Sequence, residues 1–415
     1  MSQKNTQHHL YLNKIAIVGA GASGLFCAIL LAQKGYKVTV FEKNHKAGRK
    51  LLATGNGKCN VTNTNLSLEF YHSSNPLFFK YGIENFTYEQ FEKLVFSFGL
   101  DLTKRGTKIY PASDQASSVV DVLYSESIEL GVEFYFESQV DNIQKNNNFT
   151  ITANLQQYSF DKVIIASGSG AMKKLGSSES GYILSENFSH KIVEPIASLV
   201  QLESDNYDIK KLHGLKCEAN VTLLINNQKT TTKKGDILFA KYGVSGNSVL
   251  DLSREASIAL NEYQCVDILV DIFPNSDKNK LIGMLEKKQK QIPNKKKEFL
   301  LLSLVHSKII EYIFKQAKIK SEKHYVKDLN KKDLQALVYA MKNIKISITK
   351  SRGYEYAEVV SGGVDTTDIN PKTMESKLVK DLYFIGEVLD VDGDCGGYNL
   401  HWAWASSYVL AQGLK

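Results

Sequence analysis

A glycine-rich turn near the N-terminus constrains the fold of this chain more than any other feature. The turn, Gly19–Gly24 with the sequence GAGASG, follows an apolar run at 14–18 (KIAIV) that predicts a buried parallel strand. The apolar segment after the turn predicts a buried helix that ends at Gly35, and the run KVTVFE predicts a second strand that ends at Glu42. This order of strand, glycine turn, helix, strand and acid is typical of the βαβ unit that binds a dinucleotide.

The residue types in this unit match what a dinucleotide requires. Gly19 permits a tight turn, Gly21 lets a pyrophosphate approach the backbone, and Gly24 lets the helix pack closely on the strand. Ser23 is a further candidate contact at the helix N-terminus, where free N–H groups favour phosphate. Glu42, 18 residues after Gly24, can accept hydrogen bonds from ribose hydroxyls. The motif does not by itself distinguish FAD from NAD, and the alternative is a glycine turn that binds no ligand.

A second glycine-rich loop follows Glu42 directly. Its glycines and small polar residues are typical of a ligand loop at this position, although an ordinary surface loop has a similar composition. Arg49 and Lys50 can offset pyrophosphate charge, and the stretch 54–60 offers donors to a flavin ring or a ribityl chain. The candidate cofactor contacts are Lys43, Arg49, Lys50, Thr54, Gly55, Asn56, Gly57, Cys59 and Asn60.

A third motif, near the C-terminus, has the same order of strand, glycine-rich turn and helix as the first. An apolar strand at 382–385 leads to a glycine-rich turn and then to a helix from Leu400. No metal site is predicted, because Gly393 stands at the fourth position of the aspartate-rich turn and no Glu stands at the twelfth, unlike a calcium loop. The candidate cofactor contacts are Gly386, Glu387, Gly393, Gly397, Tyr398, Asn399 and Leu400.

Three segments together resemble one family of flavoproteins. GAGASG, GRKLLATGNGKCNVTN and GEVLDVDGDCGGYNLHWAWASS are similar to motifs of the HI0933-like (BaiN/YhiN-type) NAD(P)/FAD-dependent oxidoreductases, and the match extends over nearly the whole chain. The resemblance implies non-covalent FAD on a Rossmann-like domain, an adenine contact at about Val140, and contacts on a second strand at Ala166, Ser167 and Gly168. It also implies that the N-terminus of the last helix faces the pyrimidine end of the flavin.

The sequence leaves the electron donor open. Position 173 is Lys, so Gly168 and Gly170 lack the third glycine of a second GxGxxG motif, and no dedicated NAD(P)H domain is visible. NAD(P)H therefore either binds transiently over the flavin or is replaced by another source of electrons.

The remaining patterns predict the domain organisation. We expect an α/β fold in which a discontinuous FAD-binding domain of the two-dinucleotide-fold type carries two insertions. Alternating polar and apolar residues predict an inserted β-barrel-like domain, and helical spacing predicts a lysine-rich helical lobe in which 297–318 forms a helix. The expected boundaries are 1–194 and 350–415 for the FAD-binding domain, 195–275 and 342–349 for the β domain, and 276–341 for the helical lobe.

Lysine is concentrated in one segment. Residues 276–350 contain 19 Lys against 7 acidic residues, a balance of +12 within a net charge of +7, so the rest of the chain sums to −5. Local clustering of this kind favours a polyanion such as ribosomal RNA as partner. The chain has 47 Lys and only 4 Arg, however, so compositional bias with solvated lysines is the alternative.

Nothing in the sequence indicates a membrane or an oxidising compartment. No apolar run reaches the ~18 residues of a membrane span. The first residues lack the apolar core of a secretion signal, and the five cysteines form no C-x-x-C pair. We expect a cytoplasmic protein with reduced thiols, no disulfide framework and no zinc cluster.

Four residues of the motifs are candidate proton partners for flavin chemistry. They are Cys59, Cys395, Tyr398 and His401, and Cys395 is expected at a helix N-terminus that acidifies its thiol. Each of the four is also an ordinary packing residue. Arg105 can bind an anionic substrate or RNA phosphate, or it can pin a loop.

Three functions remain open at this point. The resemblance implies reduction of uridine to dihydrouridine in ribosomal RNA, with the lysine-rich segment on the RNA backbone and the target base flipped toward the flavin. It also implies small-molecule reactions, namely reduction of steroid-like enones or oxidation of small amines. The third function is a binding protein that FAD merely stabilises. The lysine-rich segment favours RNA.

Overall fold

The computed structural model describes residues 13–414. It divides into two compact units: within the described residues, the first is 13–197 together with 357–414, and the second is Ser198–Tyr356. The first unit is therefore discontinuous, with the second inserted between its two parts. The finer division of the insertion into a β domain and a helical lobe stays a prediction.

The helices and strands are named in chain order. The α-helices of residues 13–414 are α1 (Ala22–Gln33), α2 (Arg49–Ala53), α3 (Phe78–Asn85), α4 (Tyr88–Ser97), α5 (Ala116–Glu129), α6 (Ser180–Glu186), α7 (Tyr207–Lys211), α8 (Asn247–Asn261), α9 (Lys278–Gln291), α10 (Ser307–Gln316), α11 (Lys331–Lys342) and α12 (Tyr398–Gly413). The strands are β1 (Lys14–Val18), β2 (Lys37–Phe41), β3 (Thr62–Asn63), β4 (Tyr71–His72), β5 (Leu102–Arg105), β6 (Lys108–Pro111), β7 (Glu133–Tyr135), β8 (Val140–Lys145), β9 (Phe149–Ala153), β10 (Gln156–Phe160), β11 (Lys162–Ile165), β12 (Ile192–Ser198), β13 (Leu202–Glu203), β14 (Lys216–Ile225), β15 (Gln228–Ala240), β16 (Gly243–Ser245), β17 (Val266–Asp271), β18 (Ile344–Ile348), β19 (Lys350–Ser351), β20 (Val359–Val364), β21 (Leu382–Phe384) and β22 (Asp392–Gly393).

A five-stranded parallel sheet forms the centre of the first unit, in the order β21-β11-β1-β2-β7. Strands β1 and β11 each begin with a lysine and otherwise contain only Ile, Val and Ala, because the inner strands of a parallel sheet are buried on both faces. Helix α1 packs against α12 and α5. The predicted Rossmann-like α/β fold, built from both ends of the sequence, is confirmed.

Short strand pairs attach the loops of the first unit to one another. Strand β3, which follows the second glycine loop, pairs with β6, and β6 pairs with β5. Strand β4 pairs with β22, so that Tyr71 lies opposite Gly393 and His72 opposite Asp392. The C-terminal glycine turn is thereby fixed against a segment more than 300 residues away in the sequence.

The second unit contains a seven-stranded sheet in the order β18-β17-β14-β15-β16-β13-β19, whose registered pairs are antiparallel. Helices α8 to α11 contribute to a single hydrophobic core with this sheet, through buried residues such as Leu252, Leu285, Ile313 and Leu337.

Two sequence-based expectations in the second unit are wrong. The predicted run of strands at 195–275 contains a 15-residue helix, α8, whose buried Val249, Leu252, Ala256 and Ala259 recur every three or four residues. The single helix predicted at 297–318 is interrupted, because a turn follows Leu300 and α10 begins only at Ser307. The reason is local: the ring of His306 accepts the N–H of Lys308 at 3.2 Å and so starts a new helix.

Candidate cofactor and active site

The phosphate loop lies between β1 and α1. Gly19 leaves β1 with a φ of 109°, and its N–H donates to the carbonyl of Phe41 at 2.8 Å. Gly21 is the N-cap of α1, with φ −79° and ψ −167°, and no side chain caps the helix. The free N–H groups of this first turn are suited to an anion.

The space around the three motif glycines differs. A Cβ on Gly19 would lie 2.6 Å from the carbonyl oxygen of Ala166, and a Cβ on Gly24 would lie 1.9 Å from that of Gly19. A Cβ on Gly21 would meet nothing within 4 Å. The protein's own packing therefore requires glycine at 19 and 24, whereas the open space at Gly21 is that of a backbone approached by a ligand.

Glu42 and Arg49 are joined through a residue that the sequence analysis missed. Glu42 Oε2 accepts the N–H of Ala20 at 2.9 Å, and Oε1 accepts the N–H and the side-chain amide of Asn44 at 2.8 and 2.6 Å. Asn44 Oδ1 accepts from Arg49 Nη1 at 2.9 Å. Nothing in the sequence singled out Asn44, because Asn is an ordinary loop residue. Glu42 Oε2 keeps acceptor capacity for a ribose hydroxyl.

The loop after β2 and the start of α2 carry the predicted contacts Lys43 and Arg49. Lys43 Nζ donates to Ser178 Oγ at 2.7 Å, and burial lowers the pKa of Lys43, partly offset by the charge of Glu42. Arg49 lines an open cavity of about 320 Å³. The cavity is lined by His45, Lys46, Arg49, Leu52, Ala53 and Leu175.

Lys50 forms an ion pair with another predicted cofactor residue. Its Nζ lies 2.6 Å from Glu387 Oε2. The other oxygen of Glu387 accepts from Ser169 Oγ at 2.8 Å and from the N–H of Val360 at 3.3 Å. The charge of Lys50 is therefore balanced within the protein, and the expected pyrophosphate contact of this lysine stays a prediction.

The second glycine loop encloses Cys59. Thr54 Oγ1 donates to the carbonyl of Leu51 at 2.7 Å, while Gly55 and Gly57 lie exposed with positive φ, as does Asn56. Cys59 is fully buried, and burial raises the pKa of its thiol to about 12, partly opposed by a hydrogen bond with Thr54. A neutral, enclosed thiol is unsuited to the expected catalytic role of Cys59; a backbone contact with the cofactor stays a prediction.

The second glycine loop meets the C-terminal glycine turn. A Cβ on Gly397 would lie 2.6 Å from the carbonyl oxygen of Thr62 and 3.0 Å from Asn60 Oδ1. Asn63 Nδ2 donates to the carbonyl of Gly396 at 2.9 Å. Asn60 Oδ1 is buried and has no hydrogen-bond partner in the described part of the chain, so this acceptor is available to a ligand at the junction.

The C-terminal turn also lies beside the phosphate loop. Asn399 closes the turn, since its Oδ1 accepts the N–H of Gly393 at 2.8 Å and its Nδ2 donates to the carbonyl of Gly393 at 2.7 Å. Gly386, with a φ of 72°, approaches Ser23 so closely that a Cβ would lie 2.5 Å from Ser23 Oγ. The first and third motifs are therefore neighbours.

Helix α12 begins two residues earlier than expected, at Tyr398 rather than Leu400, with Gly397 as an N-cap that has no side-chain cap. Cys395 lies in the turn before this cap and is partly exposed. The ring of Tyr398 is 6% exposed and stacks on Phe70, with 4.6 Å between the ring centroids. Proton transfer by Cys395 or Tyr398 stays a prediction.

His401 is a structural residue rather than the proton partner that its motif suggested. It is fully buried, with Nδ1 2.8 Å from Thr62 Oγ1 and Nε2 2.9 Å from the carbonyl oxygen of Phe86. Since a carbonyl only accepts, Nε2 carries the proton. Burial lowers the pKa of His401 to about 4, partly opposed by the bond to Phe86, so the ring is neutral near pH 7.

We expect His401 to make the protein acid-sensitive. Between pH 6.5 and about 4 the unfolded chain protonates this histidine and the folded chain does not, so the free energy of unfolding falls as the pH falls. The share of His401 between pH 7 and 5 is about 2 kcal/mol. Urea unfolding at both pH values should show a smaller decrease for His401→Gln than for the wild type, while the exposed control His45→Gln should match the wild type. Equal decreases in all three proteins would contradict the assignment.

The second cofactor strand, β11, ends beside β1. The N–H of Ala166 donates to the carbonyl of Val18 at 2.9 Å, and Ser167 Oγ is buried with no hydrogen-bond partner within residues 13–414. Gly168 has a φ of 70° and open space where a Cβ would be. Val140 is buried at the start of β8. The adenine and cofactor contacts expected of these residues stay predictions.

Arg105 pins a loop. Its guanidinium forms an ion pair with Asp114 and lies 5.5 Å from the ring centroid of Tyr110. Of the two roles that the sequence left open, these contacts favour the structural one.

The residues of the first unit fit FAD. Two helix N-termini, those of α1 and α12, lack side-chain caps, and open space surrounds Gly21. Two buried polar atoms, Asn60 Oδ1 and Ser167 Oγ, have no hydrogen-bond partner among residues 13–414. A ligand with a pyrophosphate, hydroxyls and a hydrogen-bonding ring matches this set of donors and acceptors.

Comparisons with known proteins identify the family. The model of the HI0933-like protein Rossmann domain matches residues 13–413. The chain belongs to the HI0933-like family. It is 33% identical over 404 residues to the 3-dehydro-bile acid delta(4,6)-reductase of Clostridium scindens, covering 97% of this chain and 98% of that protein. It is also 33% identical to the ribosomal RNA dihydrouridine synthases of Haemophilus influenzae, over 96% of this chain and 98% of that one, and of Escherichia coli, over 96% and 97%.

Membership in the HI0933-like family confirms the resemblance of the three motifs. The protein is an FAD-dependent oxidoreductase on an FAD-binding Rossmann fold. None of the helices within residues 13–414 is long and apolar enough to cross a membrane. In the same part of the chain no group of three His, Cys, Asp or Glu residues is placed to hold a metal ion, and the five cysteines are free.

Proposed function

We propose that this HI0933-like protein reduces a carbon–carbon double bond conjugated to a carbonyl group, and that its substrate is a uracil base in ribosomal RNA. NAD(P)H is the electron donor in this proposal. One hydride from the nicotinamide and one proton add across the C5=C6 bond, giving dihydrouracil and NAD(P)⁺. Atoms and charge balance without a further reactant.

Two relatives, each aligned with this chain over nearly its whole length, support a conjugated carbon–carbon double bond as the group that is reduced. One is named as a delta(4,6)-reductase of a 3-dehydro-bile acid and the other as a ribosomal RNA dihydrouridine synthase. A double bond conjugated to a ring carbonyl is common to a 3-oxo-Δ4 steroid and to uracil. The identity is 33% to both relatives, so it does not decide between the two substrates.

Different residues of the first unit would hold different parts of the cofactor. Gly21 and the N-terminus of α1 would hold the pyrophosphate, and Glu42 the ribose. Asn60 and the turn at Gly397 would hold the flavin ring, where the uncapped N-terminus of α12 favours negative charge. When bound, FAD supplies the two-electron chemistry between nicotinamide and substrate.

The exposed lysines of the second unit are the reason for proposing RNA, rather than a small enone, as the substrate. In α9 and the segment after it, Lys280, Lys287, Lys290 and Lys296 are exposed, and none of them forms an ion pair with a carboxylate of the described residues. Unneutralised lysines attract a phosphate backbone and strengthen binding at low salt. A small enone needs no such charge.

The test is a map of dihydrouridine in ribosomal RNA from cells with and without the gene. We expect at least one uridine to lose its reduction on deletion and to regain it when the wild-type gene is returned. The purified holoenzyme with NADPH should then reduce the same position in RNA from the deletion strain, while boiled protein should not. An unchanged map would overturn the RNA substrate and leave conjugated enones as the compounds to assay.

A further inference from the structure

Two loops of the second unit are held side by side by backbone hydrogen bonds. The first loop follows α9 and the second precedes α11. Lys296 and Tyr325 form an antiparallel bridge, the N–H of Val326 donates to the carbonyl of Lys295 at 2.9 Å, and the N–H of Lys327 donates to that of Pro293 at 2.9 Å. The backbone of the two loops therefore forms a defined surface.

Two aromatic rings on these loops are exposed beside lysines. Phe299 is 42% exposed and Tyr325 is 46% exposed. Lys295 Nζ lies 5.6 Å from the ring centroid of Phe299, and Lys327 Nζ lies 5.6 Å from that of Tyr325. Partly exposed rings flanked by cations are a common feature of surfaces that stack nucleic-acid bases.

The lysines of these loops differ from several others in the second unit in that they form no ion pairs within the described part of the chain. Lys315, Lys323 and Lys342 form ion pairs with Asp208, Asp333 and Asp271. Lys295, Lys296 and Lys327 form no ion pair with any carboxylate in residues 13–414. Asp328, the adjacent acid, instead accepts the backbone N–H groups of His324 and Tyr325 at 3.0 and 2.8 Å. Lys327 Nζ donates to the neutral Asn294 Oδ1 at 3.1 Å, and its charge helps to lower the pKa of Asp328 after the backbone hydrogen bond from Tyr325. The three lysines therefore outnumber the one acid beside them, which favours an anionic ligand.

We propose that Lys295, Lys296, Phe299, Tyr325 and Lys327, the lysine–aromatic surface, bind a single-stranded segment of RNA. The lysines contact phosphates and the two rings stack on bases. This inference rests on the proposed function, because it names the place where the RNA substrate is held. It does not depend on which uridine is reduced.

The combination of groups favours single-stranded RNA over other polyanions. In a duplex the faces of the bases are already stacked, whereas in a single strand they are available to Phe299 and Tyr325. An acidic peptide would use the lysines but would gain little from the rings. We therefore expect the lysines to contribute to the free energy of RNA binding in a salt-dependent way, and the two rings to contribute in a salt-independent way.

The first experiment measures binding of the FAD-loaded protein to a fluorescent single-stranded RNA by anisotropy, at several salt concentrations. For the triple variant Lys295→Ala, Lys296→Ala, Lys327→Ala we expect the Kd to rise at least tenfold and the slope of log Kd against log salt to fall by about 2. The control removes three exposed lysines of the same unit, Lys229→Ala, Lys241→Ala and Lys318→Ala, and should change the Kd less than threefold. Equal weakening in both triple variants would overturn the proposal.

The second experiment tests the rings. The double variant Phe299→Ala, Tyr325→Ala should raise the Kd for single-stranded RNA at least tenfold while leaving the salt slope unchanged. The exposed Tyr263, outside the surface, serves as control through Tyr263→Ala. A wild-type Kd for the double variant, or equal binding of heparin and RNA by the wild type, would show a general polyanion site and overturn base stacking. Thermal unfolding of each variant separates lost binding from lost folding.

The outcomes separate this proposal from the proposed function. If gene deletion leaves the dihydrouridine map unchanged but the surface variants lose RNA binding, the function fails and the surface stands. If deletion removes a dihydrouridine but the surface variants bind RNA as the wild type does, the surface fails and the function stands.

Discussion

Replacing Gly21 with alanine is expected to leave the fold intact and to raise the Kd for FAD at least tenfold. The backbone at Gly21 has φ −79° and ψ −167°, which alanine adopts freely, and its Cβ would meet none of the described residues within 4 Å. The methyl group would instead occupy the space needed by a pyrophosphate that approaches the backbone. Urea unfolding of the apoprotein and FAD titration by fluorescence measure the two effects separately.

Replacing Gly24 with alanine is expected to affect the stability of the apoprotein, unlike the replacement of Gly21. A Cβ there would lie 1.9 Å from the carbonyl oxygen of Gly19 and 3.5 Å from Ile17 Cγ2, so helix α1 must move away from β1. We expect Gly24→Ala to destabilise the apoprotein itself by about 3 kcal/mol, as overpacking does, and to lose FAD as a consequence.

The matched control for both variants is Gly283→Ala, in α9 of the second unit. A Cβ at Gly283 meets nothing within 4 Å, and alanine in a helix interior stabilises by about 1 kcal/mol. FAD affinity should not change. If Gly21→Ala binds FAD with the wild-type Kd, the pyrophosphate does not lie against Gly21. Wild-type stability of Gly24→Ala would disprove the close packing of helix and strand.

The largest loss of stability is expected for Trp404→Ala. The indole is 1% exposed, with its ring centroid 5.3 Å from that of Phe26 and 5.7 Å from that of Phe91, and its Nε1 donates to the carbonyl of Val61 at 2.8 Å. Truncation of a buried tryptophan costs about 3–5 kcal/mol. Because Val61 follows Cys59 and Asn60 in the second glycine loop, FAD binding should weaken as well.

Trp404→Phe separates packing from the hydrogen bond. Phenylalanine keeps most of the ring contacts and leaves the carbonyl of Val61 unpaired, at a cost of about 1–3 kcal/mol. Leu155→Ala is the control, since Leu155 is 97% exposed and its truncation should change stability by less than about 0.5 kcal/mol. The measurement is urea unfolding of the transition that includes the first unit. A loss below about 1 kcal/mol for Trp404→Ala would contradict the assignment of Trp404 to the core.

Some features of this protein follow from short stretches of sequence. The order of β1, the glycine turn, α1, β2 and Glu42 was predictable, because a tight turn and a close helix–strand contact need glycine at fixed short spacings. The apolar runs of β1 and β11 indicated a parallel sheet for the same local reason. Helix α8 was missed although its pattern is also local, since the surrounding alternation at 195–275 favoured strands.

The chemical state of the site residues was not predictable in this way. Cys59 and His401 carry the same side chains whether exposed or enclosed. Only packing raises the pKa of the thiol to about 12 and lowers the pKa of the imidazole to about 4. The partner of Lys50 is Glu387, 337 residues away. Arg105 is held by Asp114, which no spacing rule selects.

The sequence by itself therefore determined the Rossmann-like fold, the three glycine motifs and the family, because these depend on backbone geometry and burial over a few residues. Only the tertiary structure decided that the second glycine loop meets the turn at Gly397, and that Asn44 links Glu42 to Arg49. Hydrogen bonds, ion pairs and pKa shifts act between atoms a few ångströms apart, and which atoms those are is set by how distant segments pack.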